Sequence, residues 1–275
     1  MAVLLSLAAA MAYGLSDFVG GLASRRTSAW PVAFVGAVAA FAGAVVLALV
    51  THGSPSSADL WWGALAGIGS GAGGAFLYRG LAAGRMGVVA PISAVGAALL
   101  PVCVGVVSGE RPDLLVWLGI IAAVPGIWLV SREPDGAGNL ADGIVDGVLA
   151  GLGFGLLFAA MGQVPESAGF APLAVTQGVA VVAVALTAAA LRARWVPYDA
   201  SQAWGAAAGV LATGAVVAFL LATQTGLLTI ASVVTSLYPA ITIGLAAAVL
   251  RERVHASQAV GLLLCGLAVG LVAAA

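Results

Sequence analysis

The sequence predicts an all-α membrane protein of ten transmembrane helices, arranged as two five-helix repeats of inverted topology. Three observations predict it. Of the 275 residues, 62% are hydrophobic and only 8% charged, where a soluble domain carries about 25% charged residues; lipid must be the solvent for most of this chain. Ten long uncharged runs follow one another. The second half of the chain then repeats the first at a nearly constant offset.

A helix needs about 20 apolar residues to cross ~30 Å of hydrocarbon. The runs place spans at 2–23, 30–50, 60–82, 87–108, 112–131, 143–163, 171–191, 202–224, 229–250 and 256–274. Ten spans use roughly 200 residues and leave roughly 75 for loops and tails, so no loop houses a soluble domain. A membrane barrel would need ~10-residue segments alternating polar and apolar, and these runs are apolar on nearly every side. The first run lacks a signal peptide's basic flank and small-residue cleavage pattern, so it reads as a retained helix.

Along the first span, Asp17 falls on one face with Ser6, Tyr13, Gly20, Gly21 and Ser24 at spacings of three and four. An ionisable group in hydrocarbon costs about 2.5–3.5 kcal/mol on insertion scales, so it is by default a functional hypothesis. Asp17 either lines a central cavity, as proton carrier or counter-charge to a cationic substrate, or is a watered or salt-bridged structural carboxylate about 10 Å from Arg25 and Arg26. The third span carries Gly63, Gly67 and Gly71, matched by Gly205 and Gly209 in the eighth; these read as small-residue surfaces for close helix approach. The stretch Gly69-Ser70-Gly71-Ala72-Gly73-Gly74 satisfies G-x-G-x-x-G but lies in a span, outside any βαβ unit, and is discarded as a nucleotide site.

Arg79, near the end of the third span, either binds a carboxylate or Asp17, or snorkels to the interface with Arg85. The fourth span is interrupted by Pro91, Ser93 and Pro101. The ninth carries Ser232, Thr235, Ser236, Pro239 and Thr242 at helical spacing, with Tyr238 beside them. Pro239 frees a carbonyl near mid-membrane, which only protein or a cavity can satisfy; the hydroxyls either face a transport path or bond back to their own helix. Pro-broken helices at corresponding places in two halves point to a central site. Gln163, Gln177 and Gln224 lie near span ends, too shallow to assign. Glu110 and Glu252, at helix–loop junctions beside arginines, have a structural or gating role without substrate contact.

The repeat appears at a shift of 142 positions, which lays Trp62-Gly63-Ala64-Leu65-Ala66-Gly67 on Trp204-Gly205-Ala206-Ala207-Ala208-Gly209, Gly84 on Gly226, Glu110-Arg111 on Glu252-Arg253 and Gly119 on Gly261. Tyr13-Gly14-Leu15 matches Phe154-Gly155-Leu156 at a shift of 141. The halves are 1–132 and 133–275, joined through the Gly/Asp/Asn/Pro-rich stretch Ser131 to Asp142. Five helices per half is odd, so the second copy enters the membrane inverted. Two such halves can exchange conformations and expose a central site to each side in turn, as in secondary transporters.

The element Tyr13-Gly14-Leu15-Ser16-Asp17-Phe18 and the helix ending Gly109-Glu110-Arg111, echoed by Arg251-Glu252-Arg253, make the whole chain resemble the drug/metabolite transporter superfamily in its EamA-like branch. The resemblance implies ten helices, an inverted repeat, and ATP-independent movement of small metabolites, often amino acids or related export substrates. From these polar stripes and helix breaks, Asp17, Tyr13, Ser16, Arg79, Ser93, Thr235 and Tyr238 are the expected substrate or coupling residues, and Pro91, Pro101, Pro239, Glu110 and Glu252 the expected hinges and gates.

Other classes fit less well. There is no lysine, hence no Walker A loop, and ATP-driven pumping would need a second protein. Cys103 and Cys265 lie in spans and His52 and His255 in distant loops, so no metal, cofactor or catalytic constellation is expected. A net charge of −1 without a basic run gives no sign of nucleic acid. An intramembrane enzyme would need a clustered nucleophile or metal set; a sensor or scaffold would not need a polar cavity. The expected partners are a small-molecule substrate, the lipid bilayer and a coupling proton or ion, with a homodimer left open, in the cytoplasmic membrane of a prokaryote.

Orientation is contested. Connections after odd-numbered spans hold Arg25, Arg26, Arg79, Arg85, Arg132, Arg192, Arg194, Arg251 and Arg253, and those after even-numbered spans only Arg111. The positive-inside rule then puts both termini outside the cytoplasm, whereas the family resemblance implies termini inside.

Overall fold

The structure, a computed structural model, describes residues 1–82, 86–131, 140–251 and 254–275, with backbone alone at 25–26, 78–82, 86–88, 90–91, 131 and 140–143. The described residues form α-helices and short 3-10 turns, without strands: α1 (Ala2–Arg26), α2 (Ala29–Val50), α3 (Ser57–Ala82), α4 (Met86–Val107), α5 (Leu114–Ser131), α6 (Leu140–Met161), α7 (Ala171–Ala190), α8 (Trp204–Thr225), α9 (Leu228–Thr235), α10 (Tyr238–Val249) and α11 (Ala256–Ala273). Hydrocarbon offers backbone groups no partner, so each segment satisfies its own amides by coiling. Seven stretches among the described residues are long and apolar enough to cross a membrane by length and composition. This is a multi-pass membrane protein.

Helix starts carry polar stops. Ser56 donates to the Asp59 carboxylate from its backbone amide at 2.7 Å and its hydroxyl at 2.8 Å, closing the first turn of α3. His255 and Gln258 form a reciprocal capping box on α11, with the His255 amide donating to Gln258 Oε1 at 3.0 Å.

The expected spans match the helices closely except at the ninth. A single kinked helix over 229–250 was expected. Instead Ser236 and Leu237 form a turn between α9 and α10, and Pro239 sits in the first turn of α10. The ring removes a donor where the first turn of a helix needs none, so the proline starts a new rod and the break falls ahead of it.

Most packing runs between the repeats, and the pairs are symmetric. Helix α3 packs on α6 as α1 packs on α8; α4 on α6 as α1 on α9 and α10; α3 on α7 as α2 on α8. Pairs α2 with α7, α4 with α9, and α5 with α11 map onto themselves and lie on the pseudo-two-fold axis. That is the arrangement an inverted repeat requires.

Small residues allow these approaches. A Cβ on Gly67 would come 2.6 Å from the Thr176 carbonyl oxygen, and one on Gly209 would overlap the Gly36 carbonyl oxygen. Thr176 Oγ1 donates to the Gly63 carbonyl at 2.8 Å, and Thr213 Oγ1 to the Ala40 carbonyl at 3.1 Å. Glycine-lined contact with hydroxyls donating across it is how membrane helices associate without a hydrophobic drive.

Two buried clusters form the interior. One gathers Phe158, Met161, Leu173, Phe219, Leu220 and Leu228; the other Ile120, Ile127, Val130, Val233, Leu237 and Cys265. Helix α9 contributes to both, and seven of its eight residues are buried, whereas α10 has no buried residue. Successive spans alternate direction, so α9 lies at the membrane side that carries the termini and α10 at the opposite side. Burial is therefore denser in the half of this span nearer the termini than in the other.

Candidate functional site

Tyr13, Asp17 and Gly21 recur every four residues and share one stripe of α1. A Cβ on Gly21 would meet nothing within 4 Å, so the stripe faces open space. Asp17, on the same stripe, is exposed.

Aromatic rings pack beside it, those of Phe158 and Phe219 buried in the core. The Tyr13 ring lies 6.0 Å from that of Tyr238 on α10 and 5.9 Å, edge-on, from Phe158 on α6; Phe158 lies 4.7 Å from Phe219 on α8. The Asp17 charge is close enough to be felt by both phenols. Tyr13 Oη is buried without a hydrogen-bond partner among the described residues, and no described residue donates to Asp17 or pairs a positive charge with it.

Gly14 brings α1 and α10 together. A Cβ there would stand 2.6 Å from Ile241 Cβ and 3.0 Å from the Tyr238 carbonyl oxygen, so only glycine lets α10 cross α1 at this level. Thr242 Oγ1 donates across the same crossing to the Gly14 carbonyl at 3.3 Å. The related crossing repeats this: a Cβ on Gly155 would lie 2.9 Å from the Gly96 carbonyl oxygen. Gly14 corresponds to Gly155, Tyr238 to Gly96, and Asp17 to Phe158. The carboxylate of one repeat is thus a phenyl ring in the other.

Other expected site residues stand elsewhere. Ser16 is buried on a different face of α1, its hydroxyl donating to the Ala208 carbonyl of α8 at 2.8 Å; it is a helix–helix contact. Thr235 is fully buried, its hydroxyl 3.5 Å from the Ser6 carbonyl, in the half of the ninth span nearer the termini. Next to it Ser236 Oγ is buried and without a partner among the described residues, where the helix breaks. Ser93 is buried in α4, whose backbone there touches α6 at Gly151. Pro101 is buried within a continuous α4. Arg79 and Pro91 lie in helical backbone with side chains outside the described residues, and Glu252 lies outside them altogether.

Glu110 follows α4 through Gly109, whose φ of +103° permits the reversal. Its carboxylate accepts from the Leu228 amide at 2.5 Å, the Thr229 amide at 3.0 Å and the Thr229 hydroxyl at 2.5 Å. A residue of the first repeat thereby caps the first turn of α9 in the second.

Three features escaped the sequence reading. Phe158 and Phe219 lie in unbroken apolar runs, although the shift of 141 that aligns Tyr13 with Phe154 also aligns Asp17 with Phe158. Asp146, 3% exposed in α6, is a second carboxylate within a membrane helix. The role of Glu110 needed its partner, 118 residues away.

The comparisons with known proteins concern the family and the fold. A family model described as the EamA-like transporter family matches residues 1–132 and again 142–274. A protein of known crystal structure superposes with a TM-score of 0.73 over 99% of this chain and 95% of its own, at 19% identity, a likeness of fold alone. No curated protein matches the chain.

Proposed function

The chain belongs to the EamA-like transporter family, and from that premise we propose that it is a secondary, ATP-independent transporter that moves a small polar or amphipathic metabolite by alternating access. One observation carries the reading: a carboxylate without a described partner, Asp17, stands beside Tyr13 and Tyr238 where the first helix of one repeat crosses the broken span of the other.

In this reading Asp17 is the coupling group and Tyr13 and Tyr238 contact the solute. Ser93 and Thr235 belong to the helix seams that must shift as the repeats rock, and Ser16 anchors α1 to α8. The α9–α10 break is a hinge, with Pro239 fixing its far arm, and Glu110 holds the gate at the end that carries the termini. Arg79 is a further substrate or coupling residue, and Pro91, Pro101 and Glu252 are further hinge or gating positions. The protein works in the cytoplasmic membrane of a prokaryote and performs no chemical conversion. Lipid and the transported solute are its partners, a proton or ion supplies the drive, and a homodimer is compatible with its surface.

The test is solute flux in reconstituted vesicles, comparing the intact protein with Asp17→Asn at several pH values. Turnover of unmodified solute supports transport. Chemical conversion would make it an enzyme, and neither would leave a sensor or scaffold. Identical behaviour of the two proteins at every pH would remove Asp17 from the coupling role.

A further inference from the structure

We propose that the connection between α7 and α8, residues 191–203, holds the phosphate of an anionic phospholipid from the surrounding bilayer, with Arg192 and Arg194 as its cationic partners and Tyr198 and Trp204 at the level of the headgroups. The guanidinium of Arg194 lies over the Tyr198 ring, 4.1 Å from its centroid. Both arginines are exposed, and no described carboxylate forms an ion pair with either. The connection lies on the membrane side opposite the termini, where the sequence gathers every arginine but Arg111.

The backbone presents the first of the pair at a cost. Helix α7 closes with the Arg192 amide donating to the Ala189 carbonyl at 3.0 Å and the Ala193 amide to the Ala188 carbonyl at 2.8 Å, which puts Arg192 at φ +53°. That position favours glycine, and an arginine there carries backbone strain. The repeat does not demand it: at the shift of 142, Arg192 and Arg194 fall on Val50 and His52, and the related connection, 51–56, leaves α2 through an extended Thr51. The longer, arginine-bearing connection is peculiar to the second repeat.

Stacking on Tyr198 fixes the plane of Arg194 and leaves its N–H edge free for oxygen acceptors, the geometry in which arginine takes a phosphate. Arg192 is two residues away, within ~7 Å along the chain. The carboxylate of this connection, Asp199, is engaged locally: it accepts from the Ser201 amide at 2.7 Å and the Ser201 hydroxyl at 2.5 Å, capping the 3-10 turn ahead of α8. Trp195 packs edge-on against Phe34 of α2 at 4.7 Å and moors the segment to the bundle. Leu191, Val196, Tyr198 and Trp204 are each more than 40% exposed. A soluble anion would leave those four in water, whereas a phospholipid covers them with its glycerol and acyl groups while its phosphate meets the guanidinia. Aromatic side chains favour this depth of the bilayer, and each arginine beside an anionic leaflet strengthens attachment about fivefold.

The experiment melts the full-length protein in micelles of one detergent doped with phosphatidylglycerol or, at the same mole fraction, phosphatidylcholine. Phosphatidylglycerol raises Tm by about 3 °C or more beyond phosphatidylcholine, and the double variant Arg192→Gln, Arg194→Gln loses at least half of that difference. Arg251→Gln, on the same membrane side and at a similar backbone conformation (φ +56°), keeps it. Melts of the variants in phosphatidylcholine establish that they fold. An equal response to the two lipids overturns the site, as does a phosphatidylglycerol increment that the double variant keeps or that Arg251→Gln loses to the same extent. A matching rise with inorganic phosphate alone also overturns it, because the ligand is then a soluble anion.

Discussion

Glu110 and Thr229 are joined twice: the carboxylate of the first accepts from both the amide and the hydroxyl of the second, tying the end of α4 to the start of α9 across the repeat boundary. Charge-assisted bonds at a helix N-terminus are among the stronger polar contacts. Glu110→Gln keeps the shape and loses the charge; it lowers stability by about 1–2 kcal/mol. Thr229→Val removes one bond of the three and costs less. Thermal melts in detergent measure both, and equal melting of wild type and Glu110→Gln would dismiss the cap as a stabilising contact.

Gly14 sets the distance between α1 and α10. Gly14→Ala forces Ile241 and the Tyr238 backbone outward, a strain of about 1–3 kcal/mol, and widens the Tyr13–Tyr238 pair, so transport falls more than stability does. Gly21→Ala on the same stripe meets nothing within 4 Å and leaves stability unchanged or slightly raised. Flux and Tm measured on the two variants side by side check this; equal loss in both would mean that crowding at Gly14 is not the cause.

The same logic applies to the glycine seams. Gly209→Ala drives a methyl into the Gly36 carbonyl, whereas Gly214→Ala, a turn and a half along α8, enters open space. The first lowers stability by at least about 2 kcal/mol and the second by nothing measurable. Denaturation in mixed micelles separates them.

Tyr13→Phe deletes a buried hydroxyl that has no described partner. Removing an unsatisfied polar group from an interior is neutral or stabilising by about 1 kcal/mol. If the hydroxyl serves the solute, the same change weakens substrate binding. Tm unchanged or raised with a higher apparent KM is the expected pair of results; a lowered Tm would assign the hydroxyl to the fold.

A reporter active only in the cytoplasm, fused after Ala275, stays silent if the arginine distribution sets topology. Glu110 and the cap on α9 then lie at the outer face. Activity of the fusion places them at the inner one.

Where spans begin and end was readable because a ~30 Å slab imposes its length on every helix. The repeat was readable because small residues at helix crossings tolerate few replacements, so Gly63 and Gly205 stayed in register. Tyr13, Asp17 and Tyr238 stood out because polar groups in a lipid-solvated chain are conspicuous. Ser16 was grouped with them by proximity in sequence, but one residue from Asp17 is about 100° around the helix, which turns its hydroxyl onto α8. The break at Ser236–Leu237 was displaced from its expected place because a proline starts a helix more readily than it bends one. Phe158 and Phe219 gave no local signal, since a phenyl in a membrane span looks the same whether it meets lipid or protein.

Asp17 and Phe158 occupy matching stations in the two repeats. Under the proposed alternating access, exchanging the conformations of the halves would set an uncharged ring where a negative charge had stood, so the two end points would differ in energy and the molecule would have a preferred resting posture before any gradient acts on it.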